Sequence, residues 1–256
     1  PKRVQHMQNG ARYPSLVDQG IFITGGATGI GAALVRAFAE QNAQVTFVDL
    51  QQEAGDALVA KLGDRVTFHR LDITDTDALQ EAVTDANERT KLGVLINNAA
   101  NDMRHVPSDM TPGQWRDCLA INLDPAFFAA QTAAPIMARN GGGAIINFSS
   151  INAILGPSNM PGYVSAKAGL IGMTKALAKD YGADMVRVNV ISPGWVVTQR
   201  QLATWLTPAE EADWMEQVAL PKRLMPEDVA SLALFLASDD SSMITGQNFT
   251  IDGGRT

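Results

Sequence analysis

Cysteine is nearly absent from this 256-residue sequence, which contains only Cys118. One cysteine excludes both an internal disulfide and a metal cluster built on several thiolates. Histidine is scarce as well, and neither a His-Glu-x-x-His motif nor a Cys/His cluster occurs, so a catalytic metal has no support. Cys118 lies in the helical pattern WRDCLAINL, where a small buried residue is predicted in preference to a reactive thiol.

Long apolar runs and an excess of positive charge are also missing. No stretch of 18 apolar residues could span a bilayer, and residues 1–15 have basic side chains without the apolar segment of a secretion signal. The net charge of −7, without a Lys/Arg cluster, makes nucleic acid and anionic membranes poor partners. We therefore expect a cytoplasmic protein, with a loose tail at 1–15 and a single domain at 16–256.

Short β-branched runs alternate with helical patterns from residue 20 to the end. Helices are predicted at 31–41, 51–61 and 75–89, and strands at 21–24, 44–49, 66–72, 94–98, 144–149, 186–192 and 248–252. Apolar strands separated by helices indicate a parallel sheet covered on both faces. The pattern predicts a doubly wound, Rossmann-type α/β domain with seven parallel strands. The segment at about 195–224, rich in Trp and Gln, is predicted to form a helical substrate lid.

A glycine-rich turn, TGGATGIG at 24–31, follows the first predicted strand. Its spacing is G-x-x-x-G-x-G, which differs from the G-x-G-x-x-G dinucleotide fingerprint. A glycine turn that opens a helix still presents N–H groups and the positive end of the helix dipole to a diphosphate. A tight turn that only needs positive φ is the alternative interpretation.

Asp49 ends the second predicted strand, eighteen residues past Gly31. An acidic residue at about this distance meets the ribose hydroxyls of NAD. The 2′-phosphate of NADP would be repelled by roughly 4 kcal/mol at an effective dielectric of ~20. No Arg or Lys follows in DLQQEAG. NAD is therefore predicted, with NADP possible but weaker; a simple surface aspartate is the alternative.

The stretch GYVSAKAGL places Tyr163 and Lys167 one helical turn apart, on the same face of a helix. A free tyrosine ionises only near pH ~10. The pair serves either packing or a reaction that needs a phenolate near neutral pH.

Six motifs together resemble the short-chain dehydrogenase/reductase family, in its order and near its usual spacings, from about residue 16 to the end. They are TGGATGIG, NNAA (97–100), Asn122, Ser150, YVSAK (163–167) and PG (193–194). One departure is Ala100, where the family usually has glycine; we expect only a slight change in the backbone beside the cofactor.

The resemblance implies a catalytic set of Asn122, Ser150, Tyr163 and Lys167. Tyr163 would be the general acid/base, its pKa lowered by Lys167 together with the oxidised nicotinamide. Ser150 would bond the reacting oxygen; Ser149 is its rival, but the thirteen-residue interval before the tyrosine favours Ser150. Asn122 would hold a water that links Lys167 to solvent.

The resemblance also implies a set of cofactor-binding residues, in which Asp72 and Ile73 would contact adenine, although a strand-end cap is the alternative for that pair. The complete set is Gly25, Thr28, Gly29, Ile30, Gly31, Asp49, Leu50, Asp72, Ile73, Asn98, Ala99, Ala100, Tyr163, Lys167, Pro193, Gly194, Val196 and Thr198.

The loop NDMRH at 101–105 carries four hydrogen-bonding side chains, which suit a substrate rich in hydroxyls unless the loop is simply solvated. With PGWVVTQRQ (193–201), TPAEEA (207–212) and the segment at 223–247, it resembles bacterial aldose 1-dehydrogenases, those acting on xylose or arabinose above all. These oxidise the anomeric hydroxyl to a lactone; polyols, 6-deoxysugars and sugar-derived keto-acids are alternatives. The implied substrate-binding residues are Asn101, Asp102, Arg104, His105, Ser150, Asn152, Trp195, Gln199 and Arg200.

Two further expectations concern catalysis and assembly. A non-catalytic sensor or scaffold that binds dinucleotide is the alternative to an enzyme, but it has no need of an intact Ser–Tyr–Lys set. The predicted helix at 163–181 carries apolar residues on more than one face, which suggests a subunit interface. The last strand and DGGRT resemble segments that complete tetramers in relatives, so a homotetramer is expected.

Overall fold

The structure is a computed structural model that describes residues 10–204 and 207–256. Its strands are β1 Gly20–Thr24, β2 Gln44–Asp49, β3 Val66–Arg70, β4 Leu92–Asn97, β5 Gly143–Phe148, β6 Val186–Pro193 and β7 Asn248–Ile251. Its helices are α1 Gly29–Glu40, α2 Gln52–Leu62, α3 Thr76–Arg89, α4 Pro112–Asn122, α5 Asp124–Asn140, α6 Asn152–Leu155, α7 Pro161–Tyr181, α8 Gln199–Thr204, α9 Pro208–Met215 and α10 Pro226–Ala237.

The seven strands of the described ranges form one parallel sheet in the order β3-β2-β1-β4-β5-β6-β7. The chain therefore reverses its direction of winding between β1 and β4. In an open α/β sheet, a crevice for ligands forms at the carboxyl ends of the strands on either side of such a reversal. The prediction of a doubly wound, seven-stranded parallel fold is confirmed.

Both faces of the sheet are buried, as the apolar strands predicted. In β1, Ile21 and Ile23 belong to one hydrophobic cluster, with α1 and α10, whereas Phe22 belongs to the other, with α3 and α5. All three side chains are almost completely inaccessible to solvent. Alternating side chains of a strand point to opposite faces, so a strand with helices on both sides must be apolar throughout.

The start of the described chain is attached to the end of α1. The side chain of Gln41 accepts a hydrogen bond from the Tyr13 N–H (2.9 Å) and donates one to the carbonyl of Ala11 (3.0 Å). Leu16, in a short 3-10 helix, is buried. Of the predicted tail, residues 1–9 lie outside the described ranges, and the domain boundary at residue 16 stays a prediction.

The segment between β6 and α10 leaves and rejoins the domain at adjacent points. Val196 forms a parallel bridge with Leu224, and the Val197 N–H donates to the Leu224 carbonyl at 2.9 Å. The helices α8 and α9 lie between these points, and Trp205 and Leu206 of the predicted lid lie outside the described ranges. That the segment opens and closes as a lid stays a prediction.

No helix in the described ranges is both long and apolar enough to cross a membrane.

Candidate active site

A cavity of about 1400 Å³ runs along the carboxyl ends of the strands. Nearly all of the predicted cofactor and substrate residues line it, from the glycine turn after β1 to α8. Two predicted residues, Asn122 and His105, are not in its lining. Among the described residues, no three His, Cys, Asp or Glu side chains cluster as a metal ion would require.

The glycine turn packs too closely to accept side chains. A Cβ on Gly31 would lie 1.8 Å from the Gly25 carbonyl oxygen. Gly25 has a φ of 67°, and a Cβ on Gly25 would lie 2.8 Å from the Ala99 Cα. Both the tight-turn and the phosphate interpretations require this geometry. Thr28, the N-cap of α1, makes no side-chain cap, so the N–H groups of the first helical turn stay available at the cavity wall. The turn fits a bound diphosphate.

Asp49 lies at the rim of the cavity, and both of its carboxylate oxygens are engaged by backbone groups. One oxygen accepts from the Ala27 N–H at 2.9 Å, and the other accepts from the Gln51 N–H at 3.0 Å. Gln51 also bonds the Thr28 hydroxyl at 3.2 Å. The carboxylate therefore braces the glycine turn as well as facing the cavity, a structural role that the sequence did not reveal.

Asn98 joins the glycine turn to the end of β4. Its side-chain amide donates to the carbonyls of Thr24 (3.2 Å) and Gly25 (2.9 Å), while the Thr24 hydroxyl accepts from the N–H groups of Asn98 and Ala99. These bonds span the point where the sheet reverses its winding. They fix the cavity wall after β1 relative to the cavity wall after β4.

Lys167 is buried on the inner face of α7. Its ammonium donates to the Phe148 carbonyl at the end of β5 (2.8 Å) and lies 5.6 Å from the centroid of the Tyr163 ring. The next residue of the strand connection, Ser149, donates its hydroxyl to the Lys167 carbonyl at 2.7 Å. Burial lowers the pKa of Lys167 to about 8, because desolvation disfavours the cation. Both serines line the cavity, but the Ser149 hydroxyl donates to α7, whereas the Ser150 hydroxyl accepts from the Asn152 N–H at 3.1 Å.

Tyr163 lies beside Ser150, and the protein's own groups raise the pKa of its phenol to about 12. Burial is the largest cause and the negative charge of Asp102 adds to it, whereas the hydrogen bond with Ser150 and the charge of Arg200 act in the opposite direction. We expected Lys167 and the oxidised nicotinamide to lower this pKa. In the protein alone the pKa of Tyr163 shifts in the opposite direction, because desolvation of the phenolate outweighs the Ser150 hydrogen bond and the charge of Arg200.

Asn122 ends α4 and holds the loop after β4. Its side-chain oxygen accepts from the Asn101 N–H (2.9 Å), and its amide donates to the carbonyls of Asn101 (3.0 Å) and Cys118 (2.9 Å). Cys118 is buried, as predicted. The side chain of Asn122 therefore holds the start of the loop at 101–105 in place. Its role in holding a water stays a prediction.

His105 lies away from the cavity lining. Its backbone N–H donates to the Asn159 carbonyl at 2.7 Å, which anchors the end of the loop. Arg104, the residue before His105, does line the cavity. The geometry thus brings Asn101, Asp102 and Arg104 to the predicted site but gives no support for His105.

A chain of hydrogen bonds links the loop after β4 to α8. The Trp195 indole N–H donates to the Gln201 side-chain oxygen (2.7 Å), and the Gln201 amide donates to one oxygen of Asp102 (3.0 Å). The other oxygen of Asp102 pairs with Arg200 at 2.5 Å. Sequence reasoning included Asp102, Trp195 and Arg200 but missed Gln201. Gln201 follows Thr198 by three residues, which is the Thr-x-x-Gln spacing of a helix N-cap, and the Thr198 hydroxyl accepts from the Gln201 N–H at 3.2 Å. This spacing could have indicated that Gln201 lies in the first turn of a helix beside the site.

Three side chains complete this end of the cavity: Asn152 and Gln199 line it as predicted, and Trp214 of α9 does so without having been predicted. Trp214 packs edge-to-face on Trp195, with ring centroids 5.4 Å apart. This end of the cavity is therefore polar at the loop after β4 and aromatic at Trp195 and Trp214.

A parallel sheet of this order, with a glycine turn after β1 and an acidic residue at the end of β2, is the arrangement of dinucleotide-binding α/β domains. A Ser–Tyr–Lys set lies at the same cavity, with Ser150 after β5 and the other two residues on α7. Comparison with known proteins agrees. A family model described as "Enoyl-(Acyl carrier protein) reductase" matches residues 25–256. The chain belongs to the short-chain dehydrogenase/reductase family, whose members bind a nicotinamide dinucleotide.

Among curated proteins, a "Probable galactose dehydrogenase" of Rhizobium meliloti is 44% identical, over 95% of this chain and 97% of that protein. The D-xylose 1-dehydrogenase of Caulobacter vibrioides is 43% identical, over 95% and 98%. Among solved structures, a short-chain type dehydrogenase/reductase from Mycobacterium ulcerans has a TM-score of 0.90 at 28% identity, covering 94% of this chain and 90% of that one. A 7α-hydroxysteroid dehydrogenase complexed with NADH and 7-oxo glycochenodeoxycholic acid has a TM-score of 0.88 at 32% identity, covering 94% and 96%.

Proposed function

We propose that this protein is an NAD-dependent sugar dehydrogenase that oxidises the anomeric C1 hydroxyl of an aldopentose or a related aldose to the lactone. The observation that carries the proposal is the polar wall next to Tyr163, where Asp102, Arg200 and Gln201 meet at the substrate end of the cavity. Several hydrogen-bond donors and acceptors this close together suit a sugar ring that carries several hydroxyls. The similarity to D-xylose 1-dehydrogenase and to the galactose dehydrogenase supports the same substrate class.

The residues of the cavity fit a dinucleotide along its whole length. The N–H groups at the start of α1 would hold the diphosphate, Asp49 the adenosine ribose, and Asp72 and Ile73 the adenine. The oxidised nicotinamide, when bound, supplies the two-electron oxidant of the reaction. Lys167, charged below its pKa of about 8, would face the nicotinamide ribose with hydrogen-bond donors that its bond to Phe148 leaves free.

Tyr163 acts as the base that removes the proton of the substrate hydroxyl. Ser150, which bonds the phenol, holds the same hydroxyl oxygen in position. Because the protein alone keeps the pKa of Tyr163 at about 12, the phenol stays neutral until further positive charge enters the site. The positive charge of the oxidised nicotinamide would lower that pKa and so favour the phenolate form of Tyr163.

A substrate panel tests the proposal. The protein is incubated with NAD and, separately, NADP, together with D-xylose, L-arabinose, D-galactose, L-fucose, threitol and a 3-oxoacyl thioester (for the reductive direction, with NADH and NADPH). Formation or loss of reduced nicotinamide is followed by absorbance. We expect the aldopentoses or galactose to give the largest kcat/KM with NAD. Turnover of the thioester alone would replace the proposal with an acyl reductase, and no turnover at all would favour the non-catalytic sensor.

A polyol substrate is the second candidate. A D-threitol dehydrogenase of Mycolicibacterium smegmatis is 35% identical over 91% of this chain and 91% of that protein. A linear polyol presents the same hydroxyls to Asp102 and Arg200 as a sugar ring, but it lacks a flat apolar face for Trp195 and Trp214. Threitol turnover that exceeds every aldose in the panel would select this candidate.

We also propose that the chain assembles as a homotetramer. In α7 one stripe is buried within the chain, and the opposite side presents small exposed residues, Ser165, Ala168, Gly172 and Ala176. Small residues allow a helix of a second copy to approach closely. Light scattering should report four times the chain mass of 27.3 kDa, and a particle of the chain mass at all working concentrations would refute assembly.

A further inference from the structure

We propose that Gln201 is a positioning residue that fixes the Asp102 carboxylate as the acceptor for a substrate hydroxyl. Its effect passes through Asp102, because its amide oxygen accepts from Trp195 and its amide nitrogen donates to Asp102. The inference rests on the proposed sugar substrate, since it assigns the side chain that recognises one of the hydroxyls.

The chemistry of the three groups leaves a single orientation for the Gln201 amide. An indole N–H can only donate, so the group 2.7 Å from Trp195 Nε1 must be the Gln201 oxygen. The amide nitrogen then points to Asp102, whose carboxylate can only accept. A flipped amide would place two donors together at one end and two acceptors at the other. Trp195 therefore sets the orientation of Gln201, and Gln201 sets the position of Asp102.

Asp102 retains acceptor capacity after these contacts. A carboxylate has about four acceptor positions on its two oxygens, of which Arg200 and Gln201 each take one. Its side chain is 24% exposed and lines the cavity near enough to Tyr163 to raise the pKa of the phenol. The carboxylate thus keeps acceptor positions for a substrate hydroxyl in the cavity near Tyr163. An acceptor-only group here selects a hydroxyl and disfavours a deoxy or O-methyl analogue.

The Arg200 contact alone does not hold the carboxylate. The Arg200 side chain is 56% exposed, so water competes for it and its ion pair contributes little order. Gln201 is more enclosed, and its amide is held at both ends as well as by the bond of its backbone N–H to Thr198. Removing Gln201 should therefore allow the carboxylate to rotate with Arg200, whereas removing Arg200 should leave it in place.

Steady-state kinetics of Gln201→Leu and Trp195→Phe, with D-xylose and NAD, test the proposal. We expect Gln201→Leu to raise the KM for the sugar about tenfold, the size of one lost hydrogen bond to a charged group. The kcat and the KM for NAD should change less than about threefold, since neither Tyr163 nor the cofactor end is touched. Trp195→Phe keeps the ring contact with Trp214 and should raise the same KM in the same direction.

The double variant separates positioning from direct contact. If Trp195 acts through Gln201, Trp195→Phe adds nothing to Gln201→Leu; additive effects would show that Trp195 and Gln201 each contact the sugar, which overturns the proposal. Gln217→Leu is the matched control, because Gln217 is an exposed glutamine beyond α9 and outside the cavity lining, whose amide donates to the Asp213 carbonyl. It should leave every constant unchanged. An unchanged sugar KM in Gln201→Leu, or a joint fall of kcat and NAD affinity, would also overturn the proposal.

Crystal structures decide the positioning claim without any turnover. In Gln201→Leu the Asp102 carboxylate should leave the position seen here, and in Gln201→Glu, which retains the bond to Trp195 but brings a second negative charge to Asp102, it should rotate further. A carboxylate that stays in place in both variants overturns the claim. If the wild-type protein oxidised no sugar, the proposed function would fail, and this structural result would still judge the role of Gln201.

Discussion

Replacement of Asp49 by asparagine removes the charge that should discriminate NAD from NADP while leaving an oxygen to accept from the Ala27 N–H. Replacement by alanine removes both that oxygen and the charge. The pair of variants therefore separates the two roles of the carboxylate, repulsion of a 2′-phosphate and bracing of the glycine turn.

The magnitude follows from the position of Asp49 at the cavity rim. Two unit charges about 4 Å apart interact by roughly 4 kcal/mol at an effective dielectric of ~20. Asp49 is only partly buried, so solvent and salt reduce this value. We expect Asp49→Asn to narrow the NAD preference by about tenfold to a hundredfold, which corresponds to about 1.4 to 2.7 kcal/mol.

The asparagine also presents an NH2 group to the Gln51 N–H, which loses its acceptor. That loss, about 1 kcal/mol, affects both cofactors alike and cancels in the ratio of their kcat/KM values. In Asp49→Ala the Ala27 N–H is left without a partner as well, so binding of both cofactors should weaken. Leu50→Arg, at an exposed position in the cavity wall, should narrow the preference further by pairing with the phosphate.

The assay is the ratio of kcat/KM for NAD and NADP with one sugar, at low and high salt. Glu53→Gln, an exposed carboxylate in the first turn of α2 and outside the cavity lining, is the control for net charge and should leave the ratio unchanged. Equal kcat/KM for the two cofactors in the wild-type protein, or an unchanged ratio in Asp49→Asn, would refute the repulsion argument. Higher salt should narrow the wild-type preference.

Three further predictions concern the catalytic helix and the glycine turn. Tyr163→Phe should retain NAD affinity, measured by calorimetry, but lose several orders of magnitude in kcat, because only the proton-accepting oxygen is removed. Lys167→Met should raise the free energy of unfolding at pH 7 by about 2 kcal/mol, measured in urea. Removing the buried cation stabilises the fold by about 3 kcal/mol, and losing its hydrogen bond to Phe148 destabilises the fold by about 1 kcal/mol. Gly31→Ala should destabilise the protein by about 1–3 kcal/mol and abolish cofactor binding, because the new Cβ would meet the Gly25 carbonyl.

Each of these has an outcome that contradicts it. A Tyr163→Phe variant that keeps most of its kcat removes Tyr163 as the base. The pKa of Lys167 is about 8 in the folded protein and 10.5 in the unfolded chain. Between pH 8 and 10.5 the unfolded chain keeps the proton that the folded protein has lost, so the stability of the wild-type protein should rise over this range. If Lys167→Met shows the same rise, the buried cation is not its cause. Gly182→Ala, at a glycine with open space around its would-be Cβ, is the control for Gly31→Ala, and equal losses in both would refute the steric argument.

The order of elements was predictable because it rests on short-range patterns. The runs IFI (21–23) and VLI (94–96) are apolar at every position, as a strand covered on both faces requires, and polar or glycine residues follow each run. The β3 boundary was predicted two residues too late, at residue 72. The strand ends at Arg70 because the Asp72 side chain turns back to bond the Thr74 N–H and hydroxyl.

The parts of the site that sequence did not predict depend on long-range packing. Gln201 meets Asp102 across 99 positions of the chain, and Asp49 meets Ala27 across 22, so no local spacing marks either contact. The sign of the Tyr163 pKa shift likewise depends on how deeply α7 packs, which a four-residue interval with Lys167 does not contain. Residue identity indicated the participants, but their bonding depended on tertiary structure.

The reversal of winding between β1 and β4 divides the cavity into two parts. The strands β1 to β3 end at the part of the cavity proposed for adenosine and diphosphate, and β4 to β6 with α8 end at the part proposed for the nicotinamide and the substrate. The Asn98 side chain bonds the two parts together. The loop at 101–104 and the helix α8 contribute no residue to the proposed adenosine and diphosphate site. A library confined to 101–104 and 199–201 should therefore yield enzymes with new sugar preferences and an unaltered nicotinamide requirement, so this scaffold can diversify its chemistry one half at a time.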